Sequence, residues 1–489
     1  MKSILATALA AVVAFSSCSK DDNGTNPVDG GDAAKLNVSF KLPQTMGTRA
    51  TQPSTSVESD VNTMSVYIFD ASGVAFAGNG NHFVKTTDFT ETSPGTWALN
   101  AGKEVATKSG AVRIYVGVNV PAAIQAKTFA TEAALLAEVT ALTAINNSVT
   151  TVGFTMFSTV NSTNLLPAST GGGGYVNDET MSVDRVVSKL VSSVTDTPAA
   201  TDFVKTWTAT GGAAGISAAT PVITFTYDVV EFGVYQEAVQ SYLAKNPTTV
   251  YNNALYAATT VSPYATSVTK ANGTVATGHE DVTVANRNAW DSFYISEHTP
   301  AVPALNGNTT YAMIATTVEI DYAAEWDTTD SEIKYTSATY GAGSDDVFIV
   351  TYEGYTFVTN TQVKASDIKV GLDALDALGV KKATIYTYEK GYVHFRVWLN
   401  KYADNDYRVG RNEFIHVRVN AVNAMDGIFP GYQGVTGTPN KPVDPNATPS
   451  PTNPTPTPPV NPIDGTTAAL NVEITINEWE YMDNNTILQ

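Results

Sequence analysis

The chain has little cysteine, little positive charge and few long apolar runs. Cys18 is the only cysteine among 489 residues, so an internal disulfide is excluded. Lysine and arginine number 28 against 47 aspartates and glutamates, and this net charge of −19 argues against a nucleic-acid partner. After residues 4–15, no segment is apolar enough to span a bilayer. Together these absences argue against an internal disulfide, a nucleic-acid partner and a membrane-spanning segment after residues 4–15.

The residues that are abundant favour β-structure. Aromatic residues make up 10% of the chain, with Tyr the most frequent, and charged residues only 15%. Thr, Val and Tyr suit the pleated, half-buried surface of a sheet. At this length, the composition predicts an extracellular, mostly β protein with two or three domains.

The first residues predict export and lipid attachment. Lys2 supplies a positive end, and the apolar run at 4–15 is followed by small residues before Cys18. We interpret residues 1–18 as a lipoprotein signal peptide with Cys18 as the lipidated (palmitate-bearing) residue. The alternative is a cysteine inside a peptide that is removed. Residues 19–34 are polar, and this composition predicts a flexible tether.

Two segments at opposite ends of the chain share one pattern. Both start Leu-Asn-Val, and both alternate apolar and polar residues at the period of a half-buried strand. In residues 36–42, which we call the plug strand, the apolar positions are Leu36, Val38, Phe40 and Leu42. In residues 470–476, which we call the donor strand, they are Leu470, Val472, Ile474 and Ile476, and Trp479 follows. Two strands of one pattern can compete for one groove, which predicts a self-assembling polymer.

A proline-rich arm precedes the donor strand. Ten prolines lie between positions 439 and 462, where polyproline II would extend ~3.1 Å per residue. The residues beyond it are too few to fold alone, so the donor strand must bury its apolar face elsewhere. The alternative is that the arm folds back and the strand becomes an edge strand of its own C-terminal domain.

Arg49 follows the plug strand. Its neighbours Gly47, Thr48 and Ala50 are small, which suits entry into a protease cleft. We predict cleavage between Arg49 and Ala50, which would separate the plug strand and the lipid from the rest of the chain. The alternative is an ordinary surface arginine.

A few short helices are expected among the strands. Helical spacing of apolar residues predicts helices over residues 131–142, 234–244 and 366–378. Residues 389–391 predict a hairpin turn between two strands. We place the boundary between two domains within residues 215–240.

No constellation for catalysis or cofactor binding stands out. The five histidines are scattered, and the glycine run at 171–174 lacks the lysine and hydroxyl of a phosphate loop. We therefore expect no enzyme activity, cofactor or metal site. An acidic cluster could hold calcium, but its spacing favours a solvated loop; it consists of Asp321, Glu325, Asp327, Asp330 and Glu332.

Several landmarks occur along the chain in a fixed order: Cys18, the stretch to Arg49-Ala50, and residues 294–299, 307–311, 397–400, 411–417 and 472–479. In these landmarks the chain resembles the fimbrillins of Bacteroidales, the type V pilins, and is most similar to the stalk subunits of short fimbriae. Glu478 stands where relatives commonly have proline.

The resemblance implies a fold and a way of assembly. It implies two tandem β-sandwich-like (transthyretin-like) domains, at residues 50–230 and 231–438, after a propeptide at 19–49. The arm at 439–465 and the donor tail at 466–489 complete the chain.

It also implies an outer-membrane lipoprotein precursor that an arginine-specific protease cleaves. Copies then polymerise head to tail by donor-strand exchange and join tip and anchor subunits in a fimbrium that supports adhesion and biofilm formation. The alternative function is a monomeric surface lipoprotein that binds glycans or host proteins.

Overall fold

The structure is a computed structural model that describes seventeen segments of the chain. These are residues 31–43, 51–53, 57–141, 153–170, 174–195, 198–209, 211–212, 215–218, 220–235, 240–245, 273–274, 291–297, 309–338, 345–376, 378–399, 407–422 and 470–480.

The part of the chain before Val186 forms twelve strands and two short helices within the described residues. They are β1 (Ala33–Lys41), β2 (Thr51–Pro53), β3 (Thr63–Asp70), β4 (Asn81–Val84), β5 (Phe89–Ser93), β6 (Thr96–Leu99), β7 (Val105–Lys108), β8 (Gly110–Val118), α1 (Ala122–Gln125), α2 (Glu132–Leu136), β9 (Val139–Ala141), β10 (Met156–Ser158), β11 (Asn161–Leu165) and β12 (Asn177–Arg185). A 3-10 turn covers Val57–Ser59.

The part after Val186 adds fifteen strands and one longer helix within the described residues. They are β13 (Val187–Val194), β14 (Val204–Thr208), β15 (Val222–Tyr235), β16 (Gln240–Tyr242), β17 (Gly273–Thr274), β18 (Phe293–Ser296), β19 (Tyr311–Ile320), β20 (Tyr322–Asp327), β21 (Glu332–Ser337), β22 (Val347–Tyr352), β23 (Tyr355–Thr359), α3 (Gln362–Leu375), β24 (Thr384–Tyr388), β25 (Tyr392–Trp398), β26 (Glu413–Val422) and β27 (Leu470–Glu480). A second 3-10 turn covers Glu389–Gly391.

A ten-stranded sheet organises the N-terminal part. Its strand order is β4-β3-β8-β10-β12-β1-β6-β5, with β11 also on β8 and β7 also on β1. The strands bury one large core, in which Tyr67 stacks on Phe157 with ring centroids 5.8 Å apart. Val66, Ile68, Ile114 and Val116 on β3 and β8 are fully buried in it.

Two further sheets enclose the core of the C-terminal part. One has the order β18-β13-β26-β27-β2, and the other has the order β14-β15-β19-β25 with β17 on β15. Leu190, Ile415 and Val417 of the first sheet share a core with Phe225 and Ile314 of the second. This sandwich-like packing of sheets confirms the prediction of a mostly β fold.

A smaller layer packs α3 on strands. The sheet β23-β22-β24 and the hairpin β20–β21 share a core with Ile368 and Leu372 of α3. The helix begins where the Thr361 hydroxyl accepts a hydrogen bond from the Lys364 N–H at 3.2 Å. Gly371 permits the close approach, because a Cβ there would lie 2.2 Å from the Trp326 ring.

The chain passes from the N-terminal sheet to the C-terminal sheets at Val186. Strand β12 ends at Arg185 and β13 begins at Val187, so one nearly continuous extended segment belongs to both sheets. The predicted domain limits of 50–230 and 231–438 stay a prediction.

Three predicted elements differ from the structure. The predicted helix over residues 131–142 is limited to α2, and β9 follows it. The described residues of the predicted helix at 234–244 lie in β15 and β16 or directly after them, because β15 keeps pairing with β19 as far as Tyr235. Residues 389–391 do not close a hairpin, since β24 pairs with β22 whereas β25 pairs with β19.

Candidate functional site: the plug strand and the donor strand

The plug strand lies inside the N-terminal sheet as β1. Its apolar residues are shielded from solvent: Leu36, Val38 and Phe40 are 0% exposed, and Leu42, just after the strand, is 1% exposed. The intervening side chains point away from this core and are exposed or half-buried. The alternation in the sequence therefore marks one buried face, as it does in a half-buried strand.

Both edges of β1 are paired. On one edge it runs parallel to β12, with Leu36 opposite Asn177 and Lys41 opposite Ser182. On the other edge it runs antiparallel to β7 and then β6. Removal of β1 would therefore leave two open strand edges facing each other across a strand-wide gap.

Polar residues of β1 fix its register on β12. The Asn37 amide donates to Asp178 Oδ1 at 2.8 Å, and the hydroxyls of Ser39 and Thr180 share a hydrogen bond of 2.6 Å. These contacts lie on the face opposite the core. A one-residue slip would break them and would turn the apolar set outward.

Aromatic rings line the far end of the slot that β1 fills. Phe40 packs edge-to-face on Phe89 at 6.2 Å between ring centroids, and Phe89 packs on Trp97 at 6.0 Å. The Leu42 N–H donates to Gly95 O at 2.9 Å. At ~1.5–3 kcal/mol for each buried side chain, the four apolar residues of the plug strand contribute roughly 6–12 kcal/mol before ordering is subtracted.

The donor strand lies in a different sheet. It forms the first part of β27, which runs antiparallel to β26 of the same chain. Opposite one another stand Leu470 and Val422, Val472 and Val419, Ile474 and Val417, and Ile476 and Ile415. This is the intramolecular position that the sequence left open as the alternative.

The outer edge of β27 has a short partner. Thr51–Pro53 of β2 pairs parallel with residues 478–480, where Gln52 stands opposite Trp479. Within the described residues, no strand pairs with the outer edge of residues 470–477. Cys18, Arg49, Ala50 and the proline-rich arm lie outside the described residues.

A buried ionic cluster, formed by Glu58, Arg185, Lys189 and Tyr294, joins the two parts of the chain. Lys189 Nζ lies 2.6 Å from Glu58 Oε1, and these side chains are only 2% and 1% exposed. The Tyr294 hydroxyl donates to the same carboxylate at 2.7 Å, and Arg185 Nε donates to the Glu58 carbonyl at 3.1 Å. Burial lowers the pKa of Arg185 to about 10, and burial together with Glu58 raises the pKa of Tyr294.

A second buried ion pair lies beside it. Arg411 Nη2 is 2.6 Å from Glu297 Oε2, and its guanidinium also donates to the carbonyls of Tyr242 and Leu243. Sequence reasoning assigned no role to either cluster. A signal existed, because Arg185 and Lys189 stand among the apolar residues Val183, Val186, Val187 and Leu190.

Carboxylates of the acidic cluster form ion pairs with Lys334. Lys334 Nζ lies 2.6 Å from Asp327 Oδ2 and also contacts Asp330. The hydrogen bond from Lys334 lowers the pKa of Asp327 to about 2. Among the described residues, no group of three or more His, Cys, Asp or Glu could hold a metal ion, and no helix is long and apolar enough to cross a membrane.

Part of the chain that contains the plug strand matches a known protein family. Residues 34–222 match the family model of the major fimbrial subunit protein FimA. This match contains β1, its partners in the sheet and the passage into β13. A comparison with curated proteins gives no match.

Several solved structures align over most of the chain. A fimbrilin from Porphyromonas gingivalis W83 has 13% identity and a TM-score of 0.42, covering 92% of this chain and 99% of that one. The tip fimbrial protein Mfa3 from the same organism, with a C-terminal truncation, has 12% identity and a TM-score of 0.37, covering 91% and 100%. A fimbrial assembly protein from Parabacteroides distasonis has 13% identity and a TM-score of 0.31, covering 68% and 98%.

Proposed function

We propose that this chain, a fimbrillin by its FimA-family segment at residues 34–222, is the stalk subunit of a surface fimbrium and polymerises by donor-strand exchange. One observation carries the proposal: β1 fills an interior position of a buried sheet, yet it precedes the candidate cleavage site. A strand that completes a core and can be removed by one cut leaves a defined acceptor slot.

The precursor is exported as a lipoprotein and processed at the surface. Cys18 carries the lipid that holds it at the outer membrane, and an arginine-specific protease cuts between Arg49 and Ala50. Filling of the slot by β1 keeps two strand edges covered until that cut, which prevents premature association.

The donor strand of one copy then enters the slot of the next. Leu470, Val472, Ile474 and Ile476 follow the spacing of the plug residues, and Trp479 extends the contact. On its own β26, the donor strand is paired along one edge. Within the described residues, β2 covers the other edge of β27 only at residues 478–480. The slot offers pairing on both edges, and each added backbone hydrogen bond contributes ~0.5–1.5 kcal/mol.

The exchange is a head-to-tail contact and yields filaments. These incorporate tip and anchor subunits and serve adhesion and biofilm formation. Because the family matched by residues 34–222 is one of fimbrial subunits, we propose a structural role for the chain and not a catalytic one.

Treatment of purified precursor with an arginine-specific protease tests the proposal. We expect SDS-resistant ladders from the unaltered chain. Arg49→Ala should block them, because the plug strand stays covalently attached. Deletion of residues 466–489 should also abolish them while leaving cleavage intact.

Two results would contradict the proposal. A chain that is cut after Arg49 and stays monomeric is not a donor-strand polymer and would favour the monomeric lipoprotein. Ladders that persist in the tail deletion would show that another segment is the donor.

A further inference from the structure

In a filament of this kind, tension must cross each subunit along a defined route. It enters at the slot beside β12 and leaves through the chain that follows β26. The backbone leaves the N-terminal sheet at Val186 and continues directly into β13. The next step of the shortest route is the ladder from β13 to β26, because the backbone between them spans the whole C-terminal part.

The geometry of the β13–β26 ladder suits it to resist a shear force, which pulls two paired strands past each other along their length. Strands β13 and β26 are parallel, with Lys189 opposite Phe414 and Val194 opposite Val419. Tension would act on the amino end of β13 and on the carboxyl end of β26, which are opposite ends of the ladder. The two strands would have to slide past each other, so the bonds between them bear the load together and do not break one after another.

Buried serines of β13 add side-chain bonds to this ladder. Ser192 Oγ donates to Val417 O at 3.0 Å, and Ser193 Oγ shares a 2.7 Å hydrogen bond with His416 Nε2. The Glu413 N–H donates to Ser188 Oγ at 3.2 Å. All three serines are buried, where a hydrogen bond is shielded from competing water.

Both ends of the ladder are fastened. At the amino end of β13, the Asn412 N–H donates to Val187 O at 3.0 Å, and the Glu58–Lys189 ion pair holds the strand. At the other end, the Thr195 N–H donates to Val419 O at 3.1 Å. Fraying, which would convert sliding into peeling, is opposed at each end.

We propose that β13 and β26 form a mechanical clamp that carries tension across the subunit and keeps the C-terminal part folded under load. The inference rests on the proposed function only for the source of the load. The clamp itself is a property of the single chain, so it can be tested without polymerisation.

Single-molecule pulling in two directions tests the clamp. The full-length chain carries Cys18→Ser, and handles are attached at paired cysteines. The pair Ser182→Cys and Asn420→Cys loads opposite ends of the ladder, whereas Ala200→Cys and Asn420→Cys load the same end. We expect a clearly higher rupture force for the first pair. Equal forces, or a higher force for the second pair, would overturn the proposal.

A matched pair of serine variants tests the side-chain bonds. Ser193→Ala removes the contact with His416 inside the clamp, whereas Ser65→Ala removes a similar contact with His82, 2.8 Å long, off the route. At fixed load on the first handle pair, Ser193→Ala should raise the unfolding rate on the order of tenfold. Ser65→Ala should leave it unchanged, and equal effects would overturn the proposal.

The outcomes of these force measurements are separable from those of the assay for SDS-resistant polymer ladders. Loss of the SDS-resistant ladders together with a strong clamp would reject the polymer and keep the clamp. Normal SDS-resistant ladders with no directional difference in force would keep the polymer and reject the clamp.

Discussion

At the scale of single residues, the buried Glu58–Lys189 pair stands out. Both charges are withdrawn from water, and their attraction offsets the loss of hydration only while both are present. Lys189→Met leaves the Glu58 carboxylate buried beside an apolar side chain. We expect a loss of about 3–5 kcal/mol of unfolding free energy, measured by urea denaturation.

The matched control is the pair of Lys127 and Glu138, also 2.6 Å apart, in which Lys127 is 50% exposed and Glu138 is half-buried. Lys127→Met should change stability by less than ~1 kcal/mol. Adding Glu58→Gln to Lys189→Met should restore part of the loss. Similar effects of the two lysine substitutions would show that burial is not the decisive factor.

At the scale of elements, we predict that the effect of a plug-strand substitution on stability depends on whether the chain has been cleaved. Phe40→Ala should destabilise the precursor by about 3–5 kcal/mol, because a fully buried ring is lost next to Phe89. After cleavage at Arg49 the same substitution should have no effect on the folded product, since β1 has been removed. Thermal unfolding before and after the protease measures both.

The neighbouring Lys41→Ala serves as the control, because that residue is exposed at the end of β1. It should change the stability of the precursor by no more than ~0.5 kcal/mol. An effect of Phe40→Ala that persists after cleavage would mean that the plug strand stays bound.

The same strands show how much of the fold could be predicted from the sequence. The alternation in residues 36–42 is local, so the strand and its buried face were predictable. The ionic cluster was not, because Glu58 and Lys189 are 131 residues apart and each alone resembles a solvent-facing charge. Residues 234–244 have helical spacing, yet β15 pairs with β19, in which Ala312 stands opposite Val234 and lies 78 positions further along the chain. Such distant pairing overrides local preference.

At the scale of the whole molecule, the proposed exchange gives the donor strand two alternative positions: beside its own β26, or in the slot of a neighbouring copy. In the structure Glu473 stands opposite Arg418 in the antiparallel ladder. Directly opposite residues of such a ladder are ~4.5–5.5 Å apart between Cα atoms, which lies within the range for a disulfide. Arg418→Cys with Glu473→Cys, in a Cys18→Ser background, should therefore lock the donor strand to its own sheet.

We expect the oxidised double-cysteine precursor to be cut by the protease but to give no ladders, and reduction should restore them. The physical reason is that a strand tied to its own subunit is not free to fill the slot of the next. A pair out of register, Arg418→Cys with Asn477→Cys, is the control, because Asn477 lies outside the donor strand, stands opposite Phe414 and should form no disulfide with position 418. Ladders that form equally well with the disulfide intact would show that assembly does not need the donor strand to leave β26, and would locate the junction between subunits at the C-terminal sheet instead of the plug slot.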